Sequence, residues 1–205
     1  MKRSLSLVKI PLYILIFGLF LLPILYSIKP NVNYELVKVS FFRAWVEVIE
    51  LSIVIFDFER IKPKVIFTKI NLVLGAFFGV ALFSSYFGAD YSRSFWGNSF
   101  RGDGLLTLFH GVLLFVFVQI SYRDLWKKYL IYTIIVASIV TSAFSIGHGR
   151  NYGTLGHSAF LGGYLLLTLP FFFQFKNNLK SLVLLPVIAI IFSGSRFAIF
   201  GMLIL

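Results

Sequence analysis

Long apolar runs alternate with short polar islands along the chain. The runs recur at roughly 16–20 residues and are apolar on every face, the pattern of helices that cross about 30 Å of hydrocarbon. Period-two alternation, the mark of a membrane barrel, is missing. The spacing predicts helices near 10–28, 38–57, 66–87, 104–120, 129–146, 159–175 and 179–193, with an eighth beginning near Phe197. Only nine residues follow Arg196, too few to reach the opposite leaflet. The expectation is therefore an all-α, polytopic transmembrane helix bundle, one domain over 1–205, with about eight spans and the last incomplete. The chain then reads as the N-terminal part of a longer protein.

Composition sharpens this reading. Hydrophobic residues make up 59% of the chain and charged residues 13%, and the mean hydropathy is +0.90. A water-soluble domain could not cover itself with so little polar surface, so the lipid bilayer is the expected surroundings. The net charge of +11 is scattered in short clusters beside apolar runs and forms no extended stripe, which argues against nucleic acid as a partner. Cysteine is absent, excluding disulfides, thiolate metal sites and cysteine nucleophiles. The N-terminal "MKRSLSLVK" leads into an apolar run too long for a signal peptide, with no small-x-small site after Ser27, so an uncleaved first span is expected.

Basic residues flanking spans are retained on the cytoplasmic side. With the N-terminus inside, the inner segments hold twelve of the nineteen lysines and arginines and the outer segments seven, which supports a multi-pass protein with a cytoplasmic N-terminus. The outer set is mostly arginine, whose planar fork suits phosphate and carboxylate oxygens. The second span carries Lys38, Arg43, Glu47 and Glu50 near one helical face, so an internal Arg43–Glu47 pair is available. Read instead as an interfacial amphipathic segment, it would invert every later loop, which the lysine and arginine distribution opposes.

Three outward islands join glycines to an arginine: "YSRSFWGNSFRGDG" (91–104), "GHGRNYGTLGHSAFLGGY" (147–164) and "SGSRF" (193–197). Glycine lets backbone N–H groups approach an anion and arginine supplies charge, so the three could converge on a phosphorylated ligand. No island follows a strand and no G-x-x-x-x-G-K-[ST] occurs, so soluble nucleotide folds are excluded. His110, His148 and His157 lack metal-ligand spacing, and neither metal nor cofactor is expected. His148 and His157 share an outer loop with Arg150, where a general base is conceivable, while His110 inside a span reads as a helix-to-helix hydrogen bond. "GAFFG" (75–79) reads as a close-packing surface, and Trp45, Trp96 and Trp126 as an interfacial belt.

Four blocks resemble the O-antigen ligase and O-antigen polymerase family. "DYSRSFWGNSFRGDGLLTLFH" is similar to its S-x-W-G-N/S-x-x-R-x-x-G pattern, and "RNYGTLGHSAFLGGYLLLTLP" to R-x-x-G-T-x-G-N-P-N-x-x-x-x-Y-L. "FSGSRFAIFGMLI" resembles its T-x-S-R-G-A-x-x-G element, and "FFRAWVEVIE" its second span. The resemblance implies a GT-C-like bacterial inner-membrane enzyme of lipopolysaccharide or polysaccharide biosynthesis in the cell envelope. Such an enzyme moves a glycan from an undecaprenyl-pyrophosphate carrier to lipid A core, a growing glycan or a protein on the periplasmic face. By residue, it implies that Arg101, Arg150 and Arg196 bind the pyrophosphate, with Arg43 a further candidate. The catalytic group stays unassigned, with His157 as the candidate base. The chain departs from the pattern at His157, Ser158 and Ala159, which replace Asn-Pro-Asn, and at Phe197, which replaces glycine. The family's large outer loop with its histidine is missing too, so these residues alone are expected to be inactive. A transporter or flippase for an anionic lipid or solute is the alternative, since outward arginines beside glycine breaks also suit a substrate path.

Overall fold

The computed structural model describes residues 9–26, 34–98, 101–147, 152–174 and 180–204. Among these the protein is all-α, with ten helices: α1 (Ile10–Ile24), α2 (Tyr34–Phe56), α3 (Pro63–Ile66), α4 (Lys69–Tyr86), α5 (Tyr91–Trp96), α6 (Leu105–Ser121), α7 (Asp124–Gly147), α8 (Ser158–Phe172), α9 (Leu184–Ser193) and α10 (Arg196–Ile204). Each of the eight apolar runs contains a helix. Lys69–Tyr86 and Trp126–Gly147 are long and apolar enough to cross a membrane. The 15 residues of α1 and of α8 rise only about 22 Å at 1.5 Å per residue. Helix α2 has the length, 23 residues, but carries five charged side chains along it.

The chain falls into two compact units, residues 1–18 with 35–126 and residues 19–34 with 127–205. In the first unit α4, α5 and α3 pack on α6, and α5 packs on α4. The Thr68 hydroxyl caps α4 by accepting from the Asn71 N–H, and Asn71 donates back to the Val65 and Ile66 carbonyls, tying α3 to α4. Trp45 is buried, and its indole N–H donates to the Ile14 carbonyl at 2.8 Å. Trp126 is buried as well. Two of the three tryptophans therefore do not form the expected interfacial belt: burial in the protein wins over headgroup contact, and Trp96 alone of the three is exposed.

Helix α4 differs from its neighbours. Its apolar side chains Val73, Phe77, Val80 and Phe83 are exposed along one face of the helix, and a Cβ added at Gly75 or Gly79 would meet no atom within 4 Å. Among the described residues no helix fills the close-packing surface expected at "GAFFG".

In the second unit α8 packs against α9 and α10, around a core of Leu161, Leu165, Leu169, Ala189, Ile190 and Ala198. Gly162 makes the α8–α10 approach possible, since a Cβ there would lie 2.7 Å from the Ala198 Cβ. Gly194 ends α9 in the left-handed conformation, φ 65°, and the Ser193 hydroxyl then accepts from the Ser195 N–H at 3.2 Å. "SGSRF" is thus the corner between two helices. Its glycine serves the turn rather than an anion.

Candidate functional site

The first polar island folds into a compact loop in the first unit. Asp90 caps α5 by accepting from the Arg93 N–H at 2.9 Å, and α5 stops at Gly97, φ 88°. The backbone of Gly97 lies against the N–H groups of Asp103 and Gly104, where no side chain fits. Across that contact the Asn98 N–H donates to Asp103 Oδ1 at 3.3 Å, and the N–H groups of Arg101 and Gly102 both donate to the Asn98 carbonyl. Gly104 then serves as the N-cap of α6. The glycines permit close approach of two backbone strands and leave both aspartates engaged in holding the loop.

Arg43 on α2 holds this loop from outside. Its Nη2 donates to the Gly102 carbonyl at 2.9 Å, to the Trp96 carbonyl at 3.3 Å and to the Thr107 hydroxyl at 2.7 Å, while Nε donates to the same hydroxyl at 3.0 Å. Thr107 in turn donates to the Gly102 carbonyl. Five N–H donors in a fixed fork are what such a chelate needs. Arg43 is therefore engaged in positioning the loop, and the internal pair with Glu47 does not form.

Two arginines remain on the loop's open side. A polar cup of about 630 Å³ is lined by Arg93, Arg101, Asp90, Asp103, Ser94 and Asn98. The Arg101 side chain is 58% exposed, and its Nε lies 3.2 Å from Glu35 Oε2. Beside the cup runs an apolar groove of about 720 Å³ between α4 and α6, lined by Val73, Leu74, Phe77, Leu108 and Phe115 with Phe42 of α2. Asp103 and Gly104 border both. An anionic group tethered to an apolar chain matches this pairing of surfaces.

The other residues singled out in the sequence lie elsewhere in the chain. Arg150 and His148 lie outside the described residues. Arg196 opens α10 in the second unit with an exposed side chain. His157, also in the second unit, is the N-cap of α8: its Nδ1 accepts the Ala159 N–H at 3.1 Å, and its ring packs on Phe160. That capping role uses one ring nitrogen, fixing the other as the N–H of the neutral tautomer. His110 makes the helix-to-helix hydrogen bond expected of it, with Nε2 3.3 Å from Glu47 Oε1. No cluster of three or more His, Cys, Asp or Glu side chains among the described residues is placed to hold a metal.

Glu35, Asp103 and Thr107 escape a reading of sequence alone. Their partners lie up to 66 residues along the chain, as with Glu35 and Arg101, and only Thr107, in the first turn of an apolar helix and just after a glycine-rich loop, carries a local signal. No protein-family model, curated protein or solved structure matches the chain.

Proposed function

We propose that this chain is a multi-pass bacterial inner-membrane protein that binds an undecaprenyl-pyrophosphate-linked glycan for transfer to an acceptor on the periplasmic face, as in the O-antigen ligase and polymerase family. The observation that carries the reading is the cup bearing Arg93 and Arg101, joined to an apolar groove at Asp103 and Gly104. The four sequence blocks support it independently. In this reading the polyprenyl chain lies along α4 and α6 and the pyrophosphate displaces Glu35 from Arg101. Arginine at the pyrophosphate would stabilise the negative charge that grows on the leaving group as the glycosidic bond to it breaks. The acceptor hydroxyl loses its proton to a base as it attacks the anomeric carbon; His157, with Nδ1 accepting from the Ala159 N–H and hydrogen on the other ring nitrogen, has no lone pair free for that role while the cap is made. Arg150 and Arg196 are the further arginines that the family resemblance points to for the pyrophosphate.

The membrane setting is supported by α4 and α7, both long and apolar enough to cross, and by the uncovered apolar surface of α4. The test is binding of radiolabelled undecaprenyl pyrophosphate to the full chain in nanodiscs. Arg101→Ala should weaken it at least tenfold and Arg101→Lys less, since a point charge replaces a fork. Unlabelled undecaprenol should compete poorly. Equal affinity in wild type and Arg101→Ala, or full competition by undecaprenol, would refute the assignment.

A further inference from the structure

One turn along α2 and α6 from the Arg43 chelate lies a second cross-link that the proposed function does not use. His110 is 7% exposed. Its Nδ1 lies 2.7 Å from the Leu106 carbonyl, an oxygen that can only accept, so Nδ1 must carry hydrogen. Its Nε2 lies 3.3 Å from Glu47 Oε1. With Nδ1 protonated, a neutral ring presents a lone pair at Nε2, and a carboxylate also presents lone pairs. The two atoms can bond only with a proton between them. We infer that Glu47 and His110 form a proton-binding site that fastens α2 to α6 beneath the loop when occupied and loosens them when empty.

A ring with hydrogen on both nitrogens satisfies both contacts at once, its Nδ1–H on the Leu106 carbonyl and its Nε2–H facing the Glu47 carboxylate, whose side chain is 68% exposed. Glu50 is the neighbouring acid, three residues along α2 from Glu47, and its Oε1 is buried without a hydrogen-bond partner among the described residues. The imidazolium supplies positive charge between two carboxylates. Arg43 is the basic group one turn away on α2. Helix α6 bears no further charge, and the elements packed on it offer only Lys69 on α4, Arg93 on α5 and Lys64 on α3. When the proton leaves, Nε2 and Oε1 confront each other as two acceptors and the contact fails, while the Leu106 bond persists.

The experiment is nitrogen-15 NMR of the histidine-labelled full chain in nanodiscs, with His148 and His157 replaced by Asn so that one ring is observed. Near neutral pH both His110 nitrogens should give protonated signals. In Glu47→Gln, whose amide N–H can donate to Nε2, the Nε2 line should shift to the unprotonated position while Nδ1 stays protonated. Raising the pH of the protein with Glu47 intact should move the same line in the same direction, an outcome that does not depend on the variant. An unprotonated Nε2 near neutral pH, a Glu47→Gln spectrum identical to that with Glu47, or loss of the proton from Nδ1 first would each overturn the inference.

Discussion

At the scale of single residues, the geometry divides the arginines by task. Arg43 donates to two backbone carbonyls and one hydroxyl, and hydrogen bonds from a charged group contribute about 1.5–3 kcal/mol each. Because Arg43→Ala leaves those carbonyls to find other donors, it should destabilise the fold by about 2–3 kcal/mol in detergent unfolding, and Arg43→Lys should recover only part, having no fork. Arg101 is a different case. Its pair with Glu35 has one arm in solvent, Arg101 being 58% exposed and Glu35 22%, and such a partly exposed pair is worth about 1 kcal/mol, so Glu35→Gln should change stability only slightly. The same variant removes a competing anion, so it should tighten undecaprenyl-pyrophosphate binding a few-fold in the nanodisc assay.

Among the elements, glycines separate into three kinds that a sequence cannot distinguish by itself. Gly97 has φ 88° and faces backbone, so Gly97→Ala should cost about 2 kcal/mol or more. Gly162 is helical but touches Ala198 and Ser195, so Gly162→Ala should push α8 from α10 and lower the melting temperature. Gly75 is helical and open; Gly75→Ala should raise stability by about 0.5–1 kcal/mol through helix propensity. One thermal-melt series over the three variants checks both directions. The positions of the helices were legible because long apolar runs leave the backbone little choice but to satisfy itself internally. Helix ends were less so. A 3₁₀ turn at Ser181–Val183 delays the start of α9, and the capping by Thr68, Asp90 and His157 rests on side-chain bonds that hydropathy does not report. Of the candidate site, the loop was visible as a polar island between apolar runs, and Arg101 from its place in that island and from the family resemblance. Arg43's task was not, since its partners lie 53 to 64 residues away and only folding brings them together.

For the whole molecule, the deciding feature is apolar area that protein does not cover. Exposure to water costs roughly 25 cal/mol for each Å² of it, and α4 exposes large side chains on every side but the stripe through Leu74, Phe78 and Ala81 that meets its neighbours. In a translocon insertion assay Phe77→Arg, near the middle of α4, should disfavour insertion by about 3 kcal/mol. Insertion unaffected by that change would remove α4 from the bilayer and with it the groove as a lipid seat.

Arg43 makes none of its hydrogen bonds to an acid, so the loop is stitched together by a cation whose charge those contacts do not cancel. Its field reaches any anion approaching the rim, whichever side chain finally grips it. Stripping Arg101 should therefore abolish tight capture yet leave a weak attraction that fades as salt is added, because the keystone of the arch is itself a lure.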